Sequence, residues 1–159
     1  MLSLRTVLLS AVSLLALTTG CKPTLIPNSD VESTPRNREL ADVMENYRKA
    51  LESKDVNAVL ALVSTEYFED NGTSDPSDDY NFEGLRQHLT EDLQRVQALR
   101  VSIRMRRVEV DGDRAQVDYR FQTRALVSFP SQEQWITKTD DNRISLRREG
   151  GRWRIVAGL

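Results

Sequence analysis

The hydrophobic period of this chain changes once, and that single change restricts the fold more than any other feature. Up to Val96, apolar residues recur at three- and four-residue steps, the spacing of one helix face. From Leu99 they alternate: Leu99, Val101, Ile103 and Met105 are interleaved with Arg100, Ser102, Arg104 and Arg106. Helices first and strands afterwards, with no return to the helical period, is the pattern of an α+β domain.

The strand half predicts its own geometry. Val108 and Val110 take the opposite parity to Met105, which requires one extra residue, a bulge, near Arg106-Arg107. Asp111-Gly112-Asp113 is a hairpin turn, and Ala115, Val117, Tyr119 and Phe121 carry the inward face back along the returning strand. Two more strands are expected, about 134–148 and 152–157, joined at Glu149-Gly150-Gly151. Long strands bent by bulges wrap a helical layer and leave a conical hollow.

The helical half centres on Tyr47–Asp70. A first helix is expected over 37–53, with Leu40, Val43, Met44, Tyr47, Ala50 and Leu51 as its apolar stripe. Asp55 caps a second helix bearing Val56, Val59, Leu60 and Val63, after which Tyr67 and Phe68 are expected to fold back onto the core. The third helix, 82–96, carries Phe82, Leu85, Leu89, Leu93 and Val96, with His88 beside the stripe as a boundary residue. Between them, 69–80 is an acidic loop of turn formers. Asp70, Asp75, Asp78 and Asp79 are calcium-type ligands without the alternating spacing or closing Glu of a calcium loop, so it reads as a solvated loop.

At 159 residues the chain has room for one domain with one core. One cysteine excludes a disulfide framework, one histidine excludes a His-rich metal site, and nothing in the sequence calls for a cofactor. Charge is asymmetric: 22–94 holds seven Lys/Arg against sixteen Asp/Glu, whereas 95–159 holds fourteen against eight. Such asymmetry either marks a charged binding surface or holds acidic helices against a basic sheet.

Residues 1–21 are a targeting segment: Arg5, an apolar run from Val7 to Leu17, then Thr18-Thr19-Gly20-Cys21. The run is shorter than the roughly 20 residues that span a bilayer. Small residues before the only cysteine resemble the lipobox of bacterial lipoproteins, in which the cysteine becomes the acylated N-terminus. That resemblance implies lipidation of Cys21 and a membrane partner. With Lys22 following, it implies the bacterial cell envelope, at the outer membrane facing the periplasm. The alternative is an ordinary secretory signal with an incidental cysteine. Residues 22–36, with Pro23, Pro27 and Pro35 among Ser, Thr, Asn and Asp, read as an extended, unpacked tether to a domain at 37–159.

Tyr47–Asp70 and the ending Leu146-Arg147-Arg148-Glu149-Gly150-Gly151-Arg152-Trp153-Arg154-Ile155-Val156 resemble the nuclear transport factor 2-like (SnoaL-like) superfamily over about 37–159. The resemblance implies three N-terminal helices packed in the concave face of a curved antiparallel sheet. It speaks to fold rather than function. Among its members, ketosteroid isomerases place an oxyanion-hole Tyr and a proton-abstracting Asp where Tyr47 and Asp70 stand here, which implies those two residues for an isomerase or lyase. A second family Asp would fall at Asp140-Asp141-Asn142, which reads as a turn or bulge. The family's Pro after the base is Asn71 here.

Two function classes follow. The favoured one is a non-enzymatic, lipid-anchored domain, a monomer or weak dimer. It binds either a small ligand in the cone, lined by Tyr47, Tyr119, Phe121 and Trp135, or an acidic envelope partner on the sheet face through Arg104, Arg106, Arg120 and Arg124. An exposed Arg row that only covers the sheet is the plainer reading of that face. An envelope location excludes nucleic acid as the target. The other class is the Tyr47/Asp70 isomerase or lyase.

Overall fold

The computed structural model describes residues 23–129 and 132–159. The chain forms three α-helices and a curved four-stranded antiparallel sheet, with a two-stranded ribbon in the loop between the second and third helices. Helix α1, Pro35–Glu52, starts two residues before the expected 37. Thr34 caps it, accepting the Asn37 N–H, and Pro35 fits the first turn, where no N–H is required. Asp55 caps α2, Val56–Leu60, by accepting the Ala58 N–H at 2.9 Å, as the spacing predicts. Lys54 takes a positive φ at the corner between them.

The acidic loop uses its carboxylates locally. Asp75 caps a short 3-10 turn, Pro76–Asp78, and Asp78 accepts from the Thr73 hydroxyl. Around this loop β1, Phe68–Glu69, pairs with β2, Tyr80–Asn81. Asn81 then caps α3, Phe82–Arg95, through the Glu83 and Gly84 N–H groups.

The sheet order is β3-β4-β5-β6, comprising Val96–Asp111, Arg114–Ser128, Glu133–Glu149 and Arg152–Ala157. The register slips between Met105 and Arg107, so the bulge lies where the parity change requires it. Its effect is to keep Val108 and Val110 facing the same way as Met105. One core joins both halves: Leu40, Met44, Tyr47 and Leu51 of α1 and Val59 and Leu60 of α2 meet Val101, Met105, Val117, Tyr119, Ile144, Leu146 and Ile155. Tyr67 is buried there as expected; Phe68 is exposed, because strand alternation turns it outward.

Residues 24–33 correct the tether reading. They fold into a hairpin-like turn in which Leu25 bridges Glu32 and the Ile26 N–H reaches the Val31 carbonyl at 2.8 Å. Val31 is buried, and the Asp30 N–H donates to the Met105 carbonyl at 2.9 Å, docking the turn on the edge of β3. Proline and polar composition forecast solvation; one apolar residue and one sheet-edge bond outweigh it.

Candidate functional site: the edge of strand β3 and the cone interior

Tyr47 projects from α1 into the core, buried, its ring stacked on Phe121 at 6.4 Å; Phe121 meets Tyr119 edge-on at 6.1 Å. Burial drives the Tyr47 phenol far above its ordinary range, with Tyr119 and Tyr80 adding to the rise. Burial also pushes Tyr119 up to about 12, moderated by its hydrogen bond with Asn142. These phenols are neutral core groups. Of the expected pocket lining, Tyr47 and Tyr119 fill the interior and Phe121 is half-buried between them. Trp135 stands elsewhere: it is exposed near the end of the β4–β5 hairpin with the Arg124 guanidinium 4.8 Å above its ring.

Asp70 does not join Tyr47. It is exposed, and its carboxylate accepts the Gly72 N–H at 2.9 Å in a side-chain-closed turn. Because Phe68–Glu69 is a strand, neighbouring residues face opposite ways, and Glu69 takes the inward place the isomerase comparison gives to Asp70. Glu69 accepts from the Tyr67 hydroxyl at 3.1 Å and the Gly158 N–H at 2.5 Å, while the Tyr80 hydroxyl donates to the Leu159 carbonyl at 2.6 Å. This polar cluster holds residues 158–159. Alternation about Glu69 was the signal for it; its partners 89 to 92 residues away had none.

Asp140-Asp141-Asn142 is not a turn but the middle of β5. Asp141 faces outward and takes a two-point ion pair from Arg120 at 2.9 and 2.8 Å, and Asp140 pairs with Lys138 at 3.0 Å. Two more arginines of the supposed surface are matched too. Arg104 and Arg106 both meet Asp30, at 2.5 and 3.1 Å, and Arg143 meets Asp118 at 2.5 Å. Of Arg104, Arg106, Arg120 and Arg124, only Arg124 lacks a carboxylate among the described residues. Three of the four are engaged in ion pairs, with Arg104 and Arg106 sharing the single charge of Asp30, so the face keeps a cationic excess.

A different site is formed where the docked turn, α1 and β3 meet. A cleft of about 470 Å³ lies between residues 26–29, the Ala41–Arg48 face of α1 and the Val101–Met105 stretch of β3. Its floor is apolar, from Met44, Val101, Ile103 and Met105; its rim carries Asp42, Glu45 and Arg48. Arg48 is held between Glu45 at 2.7 Å and Glu52 at 2.6 Å. The Arg48 hydrogen bond holds the Glu45 carboxyl down to about 2, and Glu52 is lowered chiefly by the N–H of Val101. Nothing in the local sequence pointed here, because one wall is the segment that read as a spacer.

No curated protein matches the chain in sequence. Among the solved structures that share its fold are three of similar size. A conserved protein from Planctomyces limnophilus has a TM-score of 0.66 and 13% identity, covering 77% of this chain and 92% of that one. A nuclear transport factor 2-like superfamily protein from Salmonella enterica serovar Typhimurium has 0.64 and 12%, covering 76% and 86%. A Nostoc punctiforme protein described as having a cystatin-like fold has 0.59 and 14%, covering 79% and 90%. At these identities the likeness is one of fold. The family model of the SnoaL-like domain matches residues 32–157, from the docked turn through the last strand, and the chain belongs to that family.

Proposed function

We propose that this protein is a non-enzymatic binding domain, carried at the bacterial cell envelope on a lipidated Cys21, whose ligand occupies the cleft between the 26–29 turn, α1 and β3. The cleft carries the reading. Its 470 Å³ lies within the range of about 300–1,000 Å³ that small-ligand sites occupy, and it sets an apolar floor against the polar Asn28, Ser29, Asp42, Glu45 and Arg48. Catalysis of the isomerase type is disfavoured by the outward position of Asp70, and on the sheet face Arg104, Arg106 and Arg120 are already engaged by Asp30 and Asp141. Cys21 lies outside the described residues, and its lipidation rests on the likeness of Thr18-Thr19-Gly20-Cys21 to a lipobox. Lys22 and that likeness favour the outer membrane, facing the periplasm.

Native mass spectrometry of the full chain, extracted from its own host in detergent, tests both halves. Acyl chains on Cys21 add mass that Cys21→Ser abolishes. A retained molecule, lost when Ala41→Phe fills the cleft, supports binding there. A mass with no adduct, or one indifferent to Ala41→Phe, overturns the site.

A further inference from the structure

The exposed edge of β3 narrows the ligand class, on the reading that the cleft is a binding site. In an antiparallel strand each residue turns its N–H and C=O to the same side. The Val101 N–H donates to Glu52 Oε1 at 2.9 Å, and the Met105 carbonyl accepts from Asp30 at 2.9 Å. Both groups therefore point away from β4, and Ile103 between them shares their parity. Four main-chain groups remain between these caps: the Val101 and Ile103 carbonyls and the Ile103 and Met105 N–H groups. Among the described residues none has a partner on that side. They line the same cleft as Met44 and Asp42.

Natural sheets blunt their edges, and this one is blunted on both margins. The Leu62 carbonyl and Ser64 N–H cover β6 at Ile155, while Asp30 and Glu52 cover β3 on either side of the gap. The gap is about 14 Å long, four residues at roughly 3.4 Å each. A second copy of the chain would bring its own Asp30 turn and Glu52 cap against these, so edge-to-edge dimers do not fit. A short extended segment does.

The geometry points to an extended peptide of about three residues, pairing antiparallel with Ile103 and carrying a cationic side chain at its centre. Opposed residues in such a pair place their side chains on the same face, so the central side chain lies beside Ile103, toward α1. There Asp42 is exposed and has no basic partner among the described residues. Arg48 is shared by Glu45 and Glu52, and Lys49 reaches Glu45 at 3.5 Å, so with Asp42 the three carboxylates still outnumber the cations beside them by one. Main-chain bonds supply the grip, and Asp42 with Glu45 the preference for Lys or Arg.

The test uses the full, isotopically labelled chain in detergent with the tripeptide acetyl-Thr-Lys-Thr-amide. Binding is expected to shift the amide signals of Ile103 and Met105 and to slow their hydrogen exchange. Methylating the lysine main-chain nitrogen, which removes one ladder bond and keeps the charge, weakens binding about tenfold. A glutamate-centred tripeptide binds more weakly than the lysine one, and Asp42→Asn narrows that difference. Equal affinity for the methylated peptide, or signal changes that avoid 101–105, overturns the assignment. If the tripeptides do not bind but a retained non-peptide molecule is lost with Ala41→Phe, the peptide class falls and the binding site stands. If neither binds, both fall.

Discussion

Glu45 shows how a single exposed carboxylate can report on the cleft. Its folded value of about 2 lies below the ordinary 4.5, first because Arg48 donates to it and then because of that residue's charge. A depressed carboxylate contributes stability that is present above pH 4.5 and lost as pH falls through 2. Arg48→Gln removes the donor, so the Glu45 titration seen by carbon-detected NMR moves up toward 4.5. The acid-side loss of stability between those limits shrinks accordingly. Because the side chain is 46% exposed, solvent screening keeps the effect on stability small. Gly158 is the opposite kind of residue, constrained by its backbone conformation rather than by a charge. Its φ is +97°, and a Cβ there would run into the Arg143 carbonyl and the Ile144 Cα, both main chain and unable to yield. Gly158→Ala should cost about 2–3 kcal/mol in urea unfolding and release residues 158–159 from Tyr67 and Tyr80. Gly112→Ala has open space at φ +56° and should cost about 1 kcal/mol.

Among the elements, the helices depend on their caps more than on length. Isolated helices of five and fourteen residues are marginal in water, so α2 and α3 rely on packing and on one side-chain acceptor each. Asp55→Ala and Asn81→Ala should each cost about 1 kcal/mol in thermal or urea unfolding. Asn81 serves two N–H groups and ends β2 at the same point, so its loss also frays the Phe68–Glu69 ribbon. In the sheet, the bulge at Arg106 is the comparable device. It resets side-chain parity so that one strand of sixteen residues keeps a continuous inward face over Met105, Val108 and Val110.

For the whole molecule, the docked N-terminal turn alters where the domain sits. If Cys21 carries lipid, packed structure begins about three residues later, at Thr24, and the domain rests near the bilayer instead of tens of ångströms above it. Asp30 joins that turn to the body, through its N–H to Met105 and its carboxylate to Arg104 and Arg106. Asp30→Ala should raise hydrogen exchange across 24–33 while changing global stability by less than about 1 kcal/mol, since the pairs are exposed. Unchanged exchange in that segment would show that Val31 burial alone holds it.

The sequence by itself determined the elements, because their causes are local. Apolar residues at helical or alternating spacing, Asp55 as a cap, Gly112 at a hairpin and a parity change at Arg106 each act within a few residues of themselves. The family is legible for the same reason, since its fold depends on that order of elements. The structure decided what depends on residues distant in sequence. Asp70 faces solvent and Glu69 the interior because a two-residue ribbon sets their parity. Arg104 and Arg120 are paired with Asp30 and Asp141, 74 and 21 residues away, and Arg106 shares Asp30. Residues 24–33 become a wall of the cleft because a sheet edge offers a carbonyl to Asp30. An ion pair, a buried turn and an uncovered stretch of β3 are relations between surfaces, and only folding creates the surfaces.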